Sequence, residues 1–554
     1  MKALLLHPEF SPLGFWNYKE VCHLMGAKYP ASPLGLITMA ALLPAEWELR
    51  LLDLNTTPLE DADIDWADLV FIGGMLPQQS RFLRLIERVH SRGKKVVAGG
   101  PDPTSQPEVY RSADYLVPGE AESSLPLFLA DFARGASGGT YASAERPDIT
   151  RSPIPRFDLL EFKNYLMIGV QFCRGCPFDC EFCDIVELYG RNPRTKTPQQ
   201  IIAELDTLYR LGHRGHVDFV DDNFIGHKGK AKEILRAVKD WSEAHGHPFF
   251  FSTEASLNLA DDDELLGLMR DLDFRYVFVG IESADGDVLA AMHKHPNLKR
   301  DMVADLHKIY RHGMVVNAGF ILGFDGETSN SARKLVEVIE RGKIVMSMVG
   351  LLFALPNTRL TRRLKEEHRL LQDTGRLSAV AEATEVDQTT TGLNFITRRP
   401  KVEVLGDFLH VLNSAYSRRN YFDRCLKVSQ ALSIHPRFKP PWTRKARYGL
   451  AFVKIVVKLG LRPSTAYYYW RNFLAVLFTR VSALETVVNL MAMHLHFTRQ
   501  AKFVSRVMAD RIQLLQATVV SEDVDKAALI GEKISAPNPQ LFTDVSTGAV
   551  TLNL

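Results

Sequence analysis

The sequence predicts an α/β protein in three parts: an N-terminal doubly wound parallel sheet, a partial (βα)6 barrel of the TIM type, and a mainly helical C-terminal domain. Three observations predict it. Short apolar runs ending in turn residues alternate with helix-like stretches, over residues 1–135 and again over 167–380. A stretch rich in Gly, Ser and Pro, "FARGASGGTYASAERPDITRSPIPRF" (132–157), divides the two alternations, as a linker over 136–166 would. From residue 381 to 554 the strand signal fades and helical patterns take over. A chain of 554 residues is also too long for one core.

In the first part, "KALLLHP" (2–8), "LRLLDLN" (49–55), "DLVFIGG" (68–74) and "KKVVAGG" (94–100) read as strands buried on both faces. "SPLGLITMAALLP" and "SRFLRLIERVHSRG" read as helices between them. Ligands of such sheets lie beyond the carboxyl ends of the strands. Here those ends read "GGM", "GGPDPTSQP" and "PGEAE". Gly73, Gly74, Gly99, Gly100 and Gly119 either let a large flat ligand approach the backbone or make tight strand-to-helix turns. Composition leaves both readings open.

In the second part the expected strands are "MIGVQF", "HVDFVDD", "FFFSTEAS", "RYVFVGIES", "VVNAGFILGF" and "VMSMVGLLFAL". Five helical patterns separate them. The first starts with Thr197 as N-cap, Pro198 at the first helical position and Gln200 two residues on, a capping box. About six strand–helix units suggest an incomplete barrel with its site at the carboxyl ends of the strands. The stretch "QFCRGCPFDCEFCDI" (171–185) directly follows the first of these strands.

That stretch holds Cys173, Cys176, Cys180 and Cys183, four of only six cysteines. Crowding of this kind indicates a metal site in a reducing compartment rather than a disulfide framework. With no basic, apolar leader before the first strand, the expectation is a cytoplasmic protein. Two readings of the cysteines compete. All four could close around a structural zinc, but the two Cys-x2-Cys knuckles are separated by only three residues. Alternatively Cys176, Cys180 and Cys183 wrap a [4Fe–4S] cluster and leave one iron open, and the spacing favours this reading. Phe172, Phe178 and Phe182 could then shield the cluster, with Cys173 a neighbour without a role.

Cys-x3-Cys-x2-Cys, an aromatic before the third cysteine and a βα barrel behind it resemble the radical S-adenosylmethionine (SAM) enzymes. The resemblance implies that SAM chelates the open iron and is cleaved reductively to a 5′-deoxyadenosyl radical. It also implies a SAM pocket at the strand ends, at Asp221, Asp222 and Asn223 after the second strand, Glu254 after the third, Glu282 and Ser283 after the fourth and Gly319 on the fifth. A helix-capping turn is the plainer reading of Asp221 and Asp222. A doubly wound domain ahead of such a barrel resembles the cobalamin-binding subgroup. Its cofactor would lie across Gly73, Gly74, Gln78, Gly99, Gly100, Pro101, Gly119 and Glu120. The Asp-x-His-x-x-Gly motif is absent: "DLNTTP" puts Asn55 at the His spacing, and His7 has no matching Asp or Gly. Cobalamin is therefore expected without a protein histidine on cobalt. "FW-YK", "PLGL-T-AALLP", "RGCPF-CEFCD" and "GR-PRTKT--QI--EL" are most similar to hopanoid C-2 methylases and proteins sharing their C-terminal extension, in which Ser often stands at the place of Cys173.

The implied reaction is methylation of an unactivated carbon of a small-molecule or lipid substrate, such as a hopanoid. The methyl group would come through cobalamin, and electrons from a low-potential donor such as flavodoxin or ferredoxin. Cyclases and ring-contracting enzymes of the subgroup offer a rival chemistry. A closed structural or redox-sensing metal site and an RNA-modifying protein are rivals from other classes. The last is suggested only by the C-terminal region, where residues 437–511 hold fourteen Lys or Arg, two acids (Glu485 and Asp510) and many aromatics. No RNA-binding module accompanies them, so no nucleic acid is expected. The same region suits peripheral contact with the inner face of a membrane or, equally, packing on the barrel with a solvated basic face.

Overall fold

The computed structural model describes residues 1–371 and 391–520. The expected domain boundary near residue 381 falls outside the described residues. The N-terminal sheet is built from β1 (Lys2–His7), β3 (Glu48–Asp53), β4 (Leu69–Gly73), β5 (Lys95–Gly99), β6 (Tyr115–Val117) and β7 (Gly139–Thr140), while β2 (Tyr29–Ala31) leaves it for the second sheet. Its order is β3-β1-β4-β5-β6-β7 and every pairing is parallel. Both faces are apolar, so the strands read as continuous hydrophobic runs. Leu4, Leu6, Val70 and Ile72 enter one core, whereas Ala3, Leu5, Leu69 and Phe71 enter the core on the other side.

The second sheet takes β8 (Tyr165–Val170), β11 (Gly215–Phe219), β12 (Phe249–Ala255), β13 (Phe274–Glu282), β14 (Val315–Leu322) and β15 (Ser347–Leu351) in the expected order. The short β9 (Cys173–Arg174) and β10 (Arg194–Thr195) form an antiparallel pair of their own. A seventh strand was not foreseen: β2 pairs parallel with β8 and extends the sheet at that edge. The sheet stays open, with β2 and β15 as its edges. The capping box at Thr197 and Gln200 forms as expected and starts helix Pro198–Arg210.

Residues 136–166, expected as a linker, are packed instead. β7 joins the first sheet, and Ile149, Phe157 and Leu160 are buried. The reason is visible in the sequence between the glycines and prolines, where apolar residues recur and find a core to enter. Helices Lys401–Tyr416, Arg418–Ala431, Trp442–Ile455, Ala466–Thr479 and Leu484–Val520 follow the barrel. Tyr416 Oη donates to Ser347 O (2.7 Å), which fixes the first of them to β15. The long last helix reaches the N-terminal segment, where Phe497 lies 4.9 Å from the Phe15 ring and His496 Nε2 3.1 Å from Gly14 O. No helix among the described residues is long and apolar enough to cross a membrane.

Candidate active site

The cysteine loop is held from below by the turn after β11. Asp221 Oδ1 accepts the backbone N–H of Phe172 (2.9 Å) and that of Cys173. Asp222 Oδ2 accepts Gly175 N–H (2.9 Å), and Asn223 Nδ2 lies 3.8 Å from Cys176 Sγ. Three consecutive residues thus fix four positions of the loop. Gly175 has φ +92°, and a Cβ there would come within 2.7 Å of Gly190 O, so the loop requires glycine at that point. Burial, with Asp222 alongside, pushes the Asp221 carboxyl up to about 8, and burial raises Asp222 to about 6. The outer side of the loop is tied to helix Arg359–Glu366, where Arg359 pairs with Asp179 (2.8 Å) and Arg363 with Glu181.

The four cysteines separate into three and one. Cys173 is fully buried and its thiol donates to Asn223 O (3.5 Å). Cys176, Cys180 and Cys183 are free and only partly buried, in a loop without regular structure. Beside them Lys294 Nζ meets Glu282 Oε1 at 2.9 Å. Burial alone would lower the Lys294 pKa, but Glu282 and Cys180 raise it on balance, so a cation stands beside the thiols. Three partly buried thiols with a positive charge next to them are a donor set that fits an anionic thiolate-bound cluster. Lys294 was not foreseen.

The other expected site residues are distributed around the barrel mouth. Glu282 sits at the end of β13 with φ +65°, where the β13–β14 register shifts; non-glycine residues hold this conformation only when their surroundings enforce it. Gly319 leaves a cradle: a Cβ there would come 3.1 Å from Phe278 and 3.8 Å from Glu282 Oε2. Ser283 is buried and its hydroxyl accepts Asp285 N–H (3.1 Å), which caps the turn. Glu254 points into the barrel lumen. Enclosure in that cavity, then the charges of Asp218, Asp222 and Asp221, push its carboxyl up to about 8. Asp221, expected to face SAM, instead spends one oxygen on the loop backbone, and its other oxygen is buried without a partner.

The residues expected to line cobalamin divide similarly. Gly74 and Gly100 pack the two strand-end loops against each other. Gly100 has φ +102° and a Cβ there would fall 2.9 Å from Gly74 O, so tight turns explain both glycines. Gly73 and Gly99 are paired across β4 and β5, and Pro101 opens the helix that follows. Gly119 faces open space. Gln78 is wholly buried and serves as a loop brace: its Oε1 accepts Met75 N–H (2.9 Å), and its Nε2 donates to Pro8 O and lies 3.4 Å from His7 Nε2. Leu76 and Pro77, between Met75 and Gln78, line the cavity on the barrel side. Glu120 is also used internally, pairing with Arg174 (2.7 Å) and Arg194 (2.6 Å) in a buried network. Its partners lie in the cysteine loop region, too distant in sequence to be read from "PGEAE".

These parts meet at a cavity of about 250 Å³. Leu76 and Pro77 of the first sheet, Phe182 of the cysteine loop, and Phe278, Glu282 and Gly319 of the barrel mouth all line it. A second cavity of about 230 Å³ fills the lumen below, and Phe278 borders both. Trp16 packs edge-on against Phe278 (5.2 Å).

An open parallel barrel carrying a three-cysteine loop after its first strand, faced by a doubly wound sheet, is the architecture of a radical SAM enzyme with an added N-terminal domain. The model for the radical SAM superfamily matches residues 170–339, and that for a domain of unknown function (DUF4070) matches 358–509. The chain is 38% identical to an uncharacterized methyltransferase of Synechocystis sp. over 545 residues, covering 98% of this chain and 100% of that one. It is 34% identical to hopanoid C-2 methylase of Rhodopseudomonas palustris over 504 residues, covering 88% and 92%. Among solved structures, the cobalamin-dependent SAM radical enzyme OxsB, with aqua-cobalamin and SAM bound, superposes with a TM-score of 0.56 at 15% identity, covering 96% of this chain and 83% of that one. The chain belongs to the radical SAM superfamily, in the methyltransferase family that includes hopanoid C-2 methylase. The radical SAM domain implies a [4Fe–4S] cluster and SAM as cofactors, and the likeness to the cobalamin-bound OxsB structure is one of fold.

Proposed function

We propose that the protein methylates an unactivated carbon of an apolar lipid or isoprenoid, with Cys176, Cys180 and Cys183 as the cluster ligands. The observation that carries this reading is the cavity where the three parts meet. Among its lining side chains only Glu282 and Thr391 are polar, and the rest are aliphatic or aromatic. Such a lining accepts hydrocarbon and supplies few groups to orient a polar substrate. When bound, the cofactors supply hydrogen abstraction and the methyl group. The chain's own residues hold and seal the site. Asp221, Asp222 and Asn223 fix the cysteine loop, Lys294 and Glu282 set a charge pair beside it, and Phe182, Phe278 and Leu76 keep water out.

The substrate class is tested by anaerobic turnover with methyl-deuterated SAM and a panel of polycyclic and linear isoprenoid lipids, read by mass spectrometry. A labelled methyl on a lipid carbon is the expected product. Label confined to water-soluble products would remove the lipid reading, and conversion of lipid without label would indicate rearrangement chemistry instead. The SAM pocket has its own test. Replacing Gly319 with Val puts a branched side chain into the cradle beside Phe278, and SAM binding should weaken roughly 5–150-fold by calorimetry. Unchanged affinity would take Gly319 out of the SAM pocket.

A further inference from the structure

Helix Trp442–Ile455 is amphipathic the wrong way round for a water-facing helix. Its inner face, Arg444, Tyr448, Ala451 and Ile455, turns toward the protein, and Arg444 and Tyr448 line the lumen cavity. The opposite face carries Trp442, Ala446, Leu450, Val453 and Val457, spaced at i, i+4, i+8, i+11 and i+15. Trp442 is 81% exposed, and Leu450, Val453 and Val457 are each more than half exposed. The neighbouring helix Ala466–Thr479 adds Tyr467 and Phe478, the latter also 81% exposed. The Phe452 and Phe473 rings meet at 5.7 Å, tilted by 36°, and join the two helices. Ten of the eighteen large apolar side chains exposed among the described residues lie between Trp442 and Val481. A contiguous patch of this kind marks an interaction surface rather than scattered exposure.

The charges around the patch identify what it meets. No carboxylate occurs in the sequence between Asp423 and Glu485, whereas twelve Lys or Arg do. Lys445 and Lys454 flank the apolar face and Arg462 follows the turn. These three form no ion pair among the described residues, whereas Lys458 pairs with Glu20 and Arg471 with Asp423. An apolar strip about two helices wide, with unpaired cations along its margins, matches the cross-section of an anionic bilayer surface: acyl chains at the centre and headgroup phosphates at the rim. Neither helix is long and apolar enough to span.

We propose that the hairpin Trp442–Val481 docks this protein on an anionic lipid bilayer. Docking in this way puts the membrane on the outer side of the helix whose inner face lines the lumen cavity. Delivery of a lipid through that wall would rest on the proposed substrate class, but the docking does not.

The test is flotation of the full-chain protein with phosphatidylcholine vesicles, with and without phosphatidylglycerol, at low and high salt. The protein should float with the anionic vesicles at low salt and largely dissociate at high salt. The charge-reversed triple variant Lys445→Glu/Lys454→Glu/Arg462→Glu should bind about a hundredfold more weakly. The double variant Trp442→Ser/Phe478→Ser should bind about tenfold or more weakly with its basic residues intact. All five substituted positions are at the surface, so circular dichroism melting curves should stay as in the wild type. Failure of the wild type to float at low salt would overturn the proposal, as would equal binding by both variants. A concentration-dependent dimer dispersed by the same substitutions, or RNA binding without vesicle binding, would assign the face to another partner and overturn it too. Because no step involves turnover, loss of the methylation reading would leave this result unaffected.

Discussion

Replacing Cys176, Cys180 or Cys183 with alanine is expected to abolish reductive cleavage of SAM, whereas Cys173→Ser should retain it. Each of the three partly buried thiols lies near Lys294, and a cluster with three protein ligands has no spare sulfur to substitute for a lost one. Cys173 is enclosed, hydrogen-bonded to Asn223 O, held by Asp221 through its backbone N–H, and paired with Thr195 across β9–β10. Anaerobic reconstitution followed by iron analysis and quantification of 5′-deoxyadenosine separates the cases. Retained cleavage in any of the three alanine variants would remove that cysteine from the ligand set. Loss of cleavage in Cys173→Ser, with iron content also lost, would restore Cys173 to it.

Removing Arg174 is expected to have the largest effect on stability. Its guanidinium donates to Glu120 (2.7 Å) and to both oxygens of Glu122 (2.7 and 2.9 Å), and Arg194 completes the set on Glu120. All these side chains are nearly buried. A buried ion pair need not stabilise more than apolar packing would, but removing one partner strands the others, at about 3–5 kcal/mol. For a cooperative unit of 150–250 residues that corresponds to a melting temperature roughly 6–20 °C lower in Arg174→Ala. Burial alone would raise the Glu122 pKa, yet Arg174 holds it down to about 2. A depressed carboxylate contributes stability above its unfolded value near 4.5 and loses it as pH falls toward 2. The difference between wild type and Arg174→Ala should therefore be full above about pH 5 and close toward pH 2. A difference that is small at neutral pH, or constant with pH, would show that the network does not join the first sheet to the cysteine loop.

Much of this architecture is legible in the sequence because its signals are local. Buried parallel strands announce themselves as apolar runs, and the cysteine spacing lies within eleven residues of "CRGCPFDCEFC". What was missed depends on distant pairings. β2 is three residues long and contains Pro30, too short for any period to show, and becomes a strand only through β8. Glu120 and Gln78 lie at strand ends, where a ligand contact would be expected, but each is turned inward by a partner more than fifty positions away. Asp221 is the clearest case. An acid at a barrel mouth suggests a ligand, yet its oxygen is taken by the backbone of the loop it supports. Lys294 follows helix Gly286–Ala291 with no motif of its own, and only the fold sets it against Glu282.

The most direct measurement is the product balance of the reconstituted protein under anaerobic conditions with SAM, cobalamin and a low-potential reductant. Radical methylation predicts 5′-deoxyadenosine and S-adenosylhomocysteine together, both lost in Cys176→Ala. 5′-Deoxyadenosine without S-adenosylhomocysteine would contradict methyl transfer, and neither product from a protein with its full iron content would contradict the radical chemistry itself.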